Sequence, residues 1–444
     1  MDKKYLKLSI PQIILLGYLS LVIVGSMLLW LPVAHQQPIS YLDALFTAVS
    51  ATCVTGLITV DTATTWTLFG KIVILVLIQI GGLGVVAFIT LLQLSARRRI
   101  SIRQRLAIQQ DLNSFDLYQT EAWVGKVVLI SLGIEFVGAV ILTLQFVPEY
   151  GVIRGIGYAV FHAVSAFCNA GFDLFGNFQS IIGYQTNGFV LSTISLLIIA
   201  GGLGFIVWTD LIAFFVKKKT THLSFHTKIV LSTTAILLVL SSLVIGILEY
   251  NGVSLAGLSP VEKIQNIMFM AVSPRTAGFS NVALADLRLP TMLLTVVLMF
   301  IGGSSGSTAG GIKTTTFAVI ILAIYSRLRQ RSFVRAFNRR IAVTSIDASF
   351  TVAVSAFMLV LLSTFMLTIT DANFGLIETL FETVSAFATV GSSIGMSATL
   401  SGFGKCIIMI LMYVGRVGPV TFGLSLLEDK KASVQYPEGN VLVG

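Results

Sequence analysis

Stretches of twenty or more residues with few or no charged side chains recur from one end of the chain to the other. Each is long enough to cross a hydrocarbon core of about 30 Å. Eight such spans are predicted, near residues 11–33, 66–95, 123–147, 187–215, 227–249, 289–326, 348–370 and 402–427. Between the members of consecutive pairs lie shorter apolar runs near 42–52, 156–167, 262–273 and 376–387. These are too short to span and read as re-entrant helices. No small-residue cleavage motif follows the first span, so it is expected to stay in the membrane rather than be removed as a signal.

Composition turns this pattern into a class. Of 444 residues 55% are hydrophobic, only 11% are charged, and 39 are glycine. A soluble domain carries about 25% charged residues, so the surface of a soluble protein of this size could not be covered. The composition excludes a soluble protein, a disordered chain and a disulfide scaffold, and it fits an all-α polytopic membrane protein. Of the 29 Lys and Arg, 21 fall in the N-terminus, the 97–105 stretch, Lys126, the 217–228 and 327–340 loops and the tail. Five lie on the opposite side (Lys71, Arg154, Lys263, Arg288, Lys405) and three at membrane depth. The positive-inside rule therefore predicts a multi-pass cell-membrane protein with both termini cytoplasmic. That asymmetry accounts for the net charge of +9 without invoking nucleic acid. The three cysteines have no metal-binding spacing, and the four histidines (His35, His162, His222, His226) are expected mostly at the interfaces. With no carboxylate pair or histidine cluster to carry chemistry, neither an enzyme nor an organic cofactor is expected.

The spans carry an internal repeat. Each pair flanks a short helix followed by a comparable turn: Ser50-Ala-Thr-Cys-Val-Thr-Gly56, Ser165-Ala-Phe-Cys-Asn-Ala-Gly171, Val272-Ser-Pro-Arg-Thr-Ala-Gly278 and Ser385-Ala-Phe-Ala-Thr-Val-Gly391. A second signature lies 25, 30, 24 and 24 residues further on: Gly81-Gly-Leu-Gly84, Gly201-Gly-Leu-Gly204, Gly302-Gly-Ser-Ser305 and Gly415-Arg-Val-Gly418. Four copies of one unit predict a pseudo-fourfold arrangement of four span–short helix–span repeats around a central pathway. The units are residues 1–96, 97–216 with its preceding cytoplasmic loop, 217–340 and 341–427, followed by a cytoplasmic tail, 428–444.

Non-helical backbone at membrane depth survives only when buried in protein or lining a water-filled cavity. Four such turns around one axis would form a ring of carbonyls, which can replace the hydration shell of a cation. The ring is predicted from Val54, Thr55 and Gly56, Asn169, Ala170 and Gly171, Thr276, Ala277 and Gly278, and Thr389, Val390 and Gly391. A glycine in each turn can take a positive φ and aim its carbonyl inward. The short helices would direct their partially negative C-terminal ends at the same axis. The side chains are mostly neutral and form no carboxylate ring, which argues against a divalent cation. A lone glycine in a membrane helix is more often a packing contact, and the Gly81-Gly-Leu-Gly84 type of motif is read that way. The four turn glycines differ because they share position, flanking residues and preceding helix.

The sixth span is interrupted by Gly302-Gly-Ser-Ser-Gly-Ser-Thr-Ala-Gly-Gly311, with glycine at 302, 303, 306, 310 and 311. Each glycine costs a helix about 1 kcal/mol relative to alanine, so the segment is expected to break the span midway. Lys313 and Arg416 place cations near this break, where a charge is costly and usually functional. They would raise a barrier to a passing cation or be absorbed by backbone carbonyls. Arg275, inside the third turn, is expected to brace it through a carboxylate such as Glu382. Two soluble-protein motifs fail on context: Gly82-Leu-Gly-Val-Val-Ala87 lies in a span rather than after a strand, and Gly310-Gly-Ile-Lys-Thr314 has the wrong spacing for a phosphate loop.

On these four turns and their spacing, the chain resembles the Trk/Ktr/HKT superfamily of potassium transporters over nearly its whole length, and within it the Ktr membrane subunits. The resemblance implies four M1–P–M2 units with one filter glycine each, here Gly56, Gly171, Gly278 and Gly391. Relatives with serine at the first filter position favour sodium, so Gly56 implies selectivity for potassium. It further implies a gating loop at 302–316, sodium as an activator, a homodimer, and a cytosolic nucleotide-binding regulatory ring of the RCK type. The basic loops and the 428–444 tail are where such a ring could dock; the apolar end of the tail could instead pack between protomers. An alternating-access secondary transporter is the alternative reading: two inverted halves would favour it, four equivalent turns a pore.

Overall fold

The computed structural model describes residues 9–95, 120–216 and 222–426, together with 106, 218 and 220. The basic 97–105 stretch, Lys217, Lys219 and the 428–444 tail lie outside the described residues.

The chain is helical. Among the described residues, four helices are long and apolar enough to cross a membrane: α1 (Ile10–Trp30), α5 (Thr120–Tyr150), α9 (Phe225–Glu249) and α13 (Val343–Thr370). Each is buried over only a third of its apolar window or less. Exposed Leu129, Phe136, Ile236, Val239 and Phe365 face outward, as a hydrocarbon solvent allows. The four short helices are α2 (Tyr41–Thr52), α6 (Val152–Phe167), α10 (Pro260–Val272) and α14 (Leu376–Phe387). The second helix of each unit follows: α3 (Leu68–Leu83), α7 (Gly188–Gly202), α11 (Leu289–Phe300) and α15 (Gly402–Val417).

The expected continuous spans at 66–95, 187–215 and 402–427 are not straight. α3 passes into α4 (Val85–Ser95) through a bend of 98°, α7 into α8 (Phe205–Leu211) through 98°, and α15 into α16 (Pro419–Leu426) through 97°. The hinge residues are Gly84, Gly204 and Gly418, with φ of +93°, +94° and +93°. A side chain at such a torsion would be strained, so the last glycine of each signature ends a helix. The first glycine of each packs: a methyl at Gly81, Gly201 or Gly415 would lie 2.0, 1.7 or 1.8 Å from the carbonyl oxygen of Thr52, Phe167 or Phe387. Reading the motif as packing alone was therefore incomplete. In the third unit α11 stops at Phe300, and α12 (Thr314–Leu328) begins only after the 301–313 segment. A short hairpin of β1 (Arg335–Ala336) and β2 (Arg339–Arg340) then leads into α13.

The helix ends are set by local chemistry. Ser9 and Ser259 form capping boxes with Gln12 and Glu262 at the starts of α1 and α10. A carboxylate near the end of one helix caps the start of a later one. Glu249 accepts from the backbone N–H of Arg288 at 2.9 Å and from Thr291 Oγ1. Asp371 accepts from the N–H of Ser401 at 2.7 Å and from its Oγ at 3.0 Å.

Packing between units is cyclic: α6 lies against α3, α10 against α7, α14 against α11, and α2 against α15. Each short helix is thus wedged onto the second helix of the preceding unit, and the fourth unit closes onto the first. Lipid tails are as apolar as leucine, so this assembly depends on close packing by small residues rather than on hydrophobic burial. His162, expected at an interface, is fully buried. Its ring stacks on Phe175 at 4.3 Å, its Nδ1 bonds the Tyr158 carbonyl and its Nε2 accepts from the Leu174 N–H.

Candidate functional site: a ring of four turns

Each short helix runs straight into its turn, and a serine fixes the exit. Ser50 Oγ accepts from the Gly56 N–H at 3.0 Å, and Ser385 Oγ accepts from the Gly391 N–H at 3.1 Å. Ser165 and Ser273 donate instead to the carbonyls of Phe172 and Phe279. The backbone carbonyls of the same serines accept from Thr55, Ala170, Gly278 and Val390. Sequence reasoning singled out the glycines and passed over these serines. Their signal was a serine six residues before the glycine in three turns and five before it in the third.

All four turns share an unusual backbone. The first residue of each triplet has positive φ despite its side chain: Val54 +58°, Asn169 +59°, Thr276 +76° and Thr389 +51°. The third is glycine with φ of +92°, +67°, +78° and +93° at Gly56, Gly171, Gly278 and Gly391. Such torsions in non-glycine residues cost about 1–2 kcal/mol each, and the same strained pattern is held four times. The first-position side chains turn back into the helices. Val54 packs beside Gly81, Asn169 beside Gly202, and Thr276 beside Gly302.

The turns close a ring. A methyl on Gly56 would lie 2.3 Å from the Ala170 carbonyl oxygen, and one on Gly171 2.6 Å from that of Ala277. On Gly278 it would lie 2.1 Å from that of Val390, and on Gly391 2.1 Å from that of Thr55. Each turn glycine therefore faces the middle carbonyl of the next unit, in order, with the fourth returning to the first. All twelve predicted triplet residues come together here.

The ring separates two spaces. On one side is a vestibule of about 120 Å³, bordered by the four turn glycines, Asp173, Ser393 and Ser397. Burial pushes the Asp173 carboxyl up to about 6, against the lowering effect of the Phe175 and Gly176 backbone donors. On the other side is a cavity of about 370 Å³, whose walls include Gly82, Gly84, Gly306, Gly311, Lys313 and Arg416. The 302–313 segment lies against the ring at this level. Its Ser304 N–H donates to the Gly202 carbonyl at 2.9 Å, and its Gly306 carbonyl accepts from the Phe205 N–H at 2.8 Å. Thr308 Oγ1 donates to the Phe167 carbonyl at 3.2 Å and lies 3.3 Å from the Asn169 amide. Gly310 sits under Thr389, and Gly302 contacts both Gly310 and Thr276. Gly303 is packed against Ala309 and Gly311 against Ala388, so four of the five glycines fold the segment tightly beneath the turns.

The two cations beside the interruption, Lys313 and Arg416, are both bonded to carbonyls. Arg416 donates to the carbonyls of Thr308, Gly81 and Gly82, and so ties the interrupted segment to α3. Lys313 Nζ donates to the Ala309 carbonyl at 2.6 Å. The expected Arg275–Glu382 pair does not form. Arg275 reaches Thr234 Oγ1 at 3.4 Å, while Glu382 accepts from Ser393 and Ser397 beside the fourth turn. A carboxylate surrounded by hydroxyl donors needs no cation, because each donor replaces part of its lost hydration.

Comparison with known proteins places the chain in a family. The family described as TrkH, cation transport protein, matches residues 7–433. The Ktr system potassium uptake protein B of Bacillus subtilis is 40% identical, over 99% of this chain and 98% of its own. The potassium/sodium uptake protein NtpJ of Enterococcus hirae is 38% identical, again over 99% and 98%. The crystal structure of the potassium transporter TrkH from Vibrio parahaemolyticus superposes with a TM-score of 0.76 at 19% identity, covering 97% of this chain and 87% of that one. That likeness establishes a shared helical fold. The chain is a multi-pass membrane protein and a transporter rather than an enzyme, and it belongs to the TrkH family of cation transport proteins.

Proposed function

We propose that the chain is a potassium uptake subunit that passes K⁺ through the ring formed by residues 54–56, 169–171, 276–278 and 389–391. The observation that carries this reading is the cyclic contact of each turn glycine with the next unit's carbonyl, which sets four equivalent stretches of backbone around one axis. Carbonyl dipoles strip water from a monovalent cation without binding it as tightly as carboxylates would. The four short helices add their negative ends, and the membrane potential supplies about 2.3 kcal/mol per charge per 100 mV. Relatives named for potassium uptake and for potassium/sodium uptake support K⁺ as cargo, with Na⁺ as a competing or activating ion.

The units act as four M1–P–M2 repeats with eight spans in pseudo-fourfold array, and the termini face the cytoplasm. The 302–316 segment, with Gly302, Gly303, Gly306, Gly310, Gly311 and Lys313, is the gate, and Arg416 is its latch. The protein works as a homodimer under a cytosolic nucleotide-binding ring, a reading supported by the Ktr system to which one relative belongs. Gly56→Ser tests the ring directly. The serine Cβ would press on the Ala170 carbonyl at 2.3 Å and at a φ of +92°. The expected result is a distorted first position and a fall in K⁺-over-Na⁺ preference in ⁸⁶Rb⁺ and ²²Na⁺ uptake; unchanged discrimination in folded protein would refute the assignment.

A further inference from the structure

A second cavity, of about 410 Å³, opens far from the ring, where the end of α12, the β1–β2 hairpin and the start of α13 meet. Its polar side carries Arg327, Arg331 and Arg340 with the hydroxyls of Ser326 and Ser332. Among the described residues, no carboxylate lies within ion-pair distance of these arginines. Asp347 is the single acid on the rim. Two of the three guanidiniums are held against rings: Arg331 lies over Tyr325 at 5.4 Å and Arg340 over Phe333 at 5.7 Å. Stacking of this kind pre-organises arginine for planar recognition of phosphate. α13 starts without a side-chain cap, so its first N–H groups add a partial positive charge.

The opposite side of the cleft is apolar and open. Leu328 is 79% exposed and Val343 55%, and Ile324 and Phe350 are also exposed beside it. These residues continue the outward faces of two apolar helices, α12 and α13. A soluble phosphate compound would leave that wall in contact with nothing, whereas a lipid satisfies both halves. We propose that this cleft binds the headgroup phosphate of an anionic glycerophospholipid, whose acyl chains lie along the apolar wall between α12 and α13. Basic pockets at the ends of membrane helices are suited to such headgroups.

The test uses the purified full-length protein in mild detergent. Thermal unfolding is followed with added phosphatidylglycerol, phosphatidylcholine or free glycerol phosphate. Phosphatidylglycerol is expected to raise the midpoint, with little effect of the other two. Arg327→Gln/Arg331→Gln/Arg340→Gln should weaken the phosphatidylglycerol response at least about tenfold in apparent affinity. Lys217→Gln/Lys218→Gln/Lys219→Gln, with the same change in net charge, should not. If the triple arginine variant folds poorly, Arg331→Gln should weaken the response and Arg331→Lys restore part of it. An arginine variant that responds like wild type would overturn the proposal and leave the surface to a cytosolic protein partner. Equal stabilisation by glycerol phosphate, or equal loss in the lysine control, would overturn it as well.

Discussion

The second helices of units one, two and four turn through 97–98° at a single glycine, whereas that of unit three opens into a thirteen-residue segment, 301–313. The contrast begins ahead of the signature: α11 stops at Phe300, two residues before Gly302, whereas α3, α7 and α15 run into theirs. Gly84, Gly204 and Gly418 end their helices with φ near +93°, and the next helix starts at once. Unit three has Ser305 there, and its positive torsions fall later, at Gly306 and Gly311. The intervening backbone is stitched to unit two through Gly201, Gly202 and Phe205, and to unit four through Arg416. One break in four has thus become a separate element, bonded to its neighbours as well as within itself through Ser307 and Lys313.

The comparison can be broken most completely from the side of the bends. Gly415→Ala places a methyl 1.8 Å from the Phe387 carbonyl, where backbone must move to admit it. Overpacking of a close-packed site costs about 1–3 kcal/mol or more, so folded, monodisperse protein and flux should both be lost. Gly133→Ala, in open space on α5, serves as the control and should leave both intact.

The loop offers the next largest effect. Removing residues 306–311 takes out the part of the segment that docks beneath the ring, and basal ⁸⁶Rb⁺ uptake into proteoliposomes should rise strongly. Unchanged or lower flux in well-folded protein would contradict its role as a gate. Arg416→Ala removes the tie between Thr308 and α3, and uptake should rise severalfold. Loss of folded protein with no gain in flux would instead make Arg416 a structural brace. The smallest change is Thr308→Val, which removes the hydroxyl from the Phe167 carbonyl and from the Asn169 amide. Each such bond contributes about 0.5–1.5 kcal/mol, so flux should rise only a few-fold, and less than in Arg416→Ala.

These elements also show which parts of the molecule its sequence made legible. The four turns could be found because Gly56, Gly171, Gly278 and Gly391 repeat with their flanks, and repetition survives where single glycines are ambiguous. The interruption at 302–311 could be found because five glycines in ten residues defeat any helix. The bends could not be read, since hydropathy is unchanged by direction and a glycine packs or hinges with the same letter. The partners of Arg275 and Glu382 were hidden for another reason. Their hydroxyl partners carry no charge, so charge pairing does not point to them: Thr234 accepts from Arg275, and Ser393 and Ser397 donate to Glu382.

The ring of carbonyls should pass potassium in preference to sodium. The most direct measurement is ⁸⁶Rb⁺ uptake by the purified full-length protein in liposomes, driven by an inside-negative potential and competed by external K⁺ or Na⁺. Uptake that exceeds that of empty liposomes and is suppressed by K⁺ at far lower concentration than by Na⁺ is the predicted result. Absence of uptake, or equal suppression by the two ions, would contradict it.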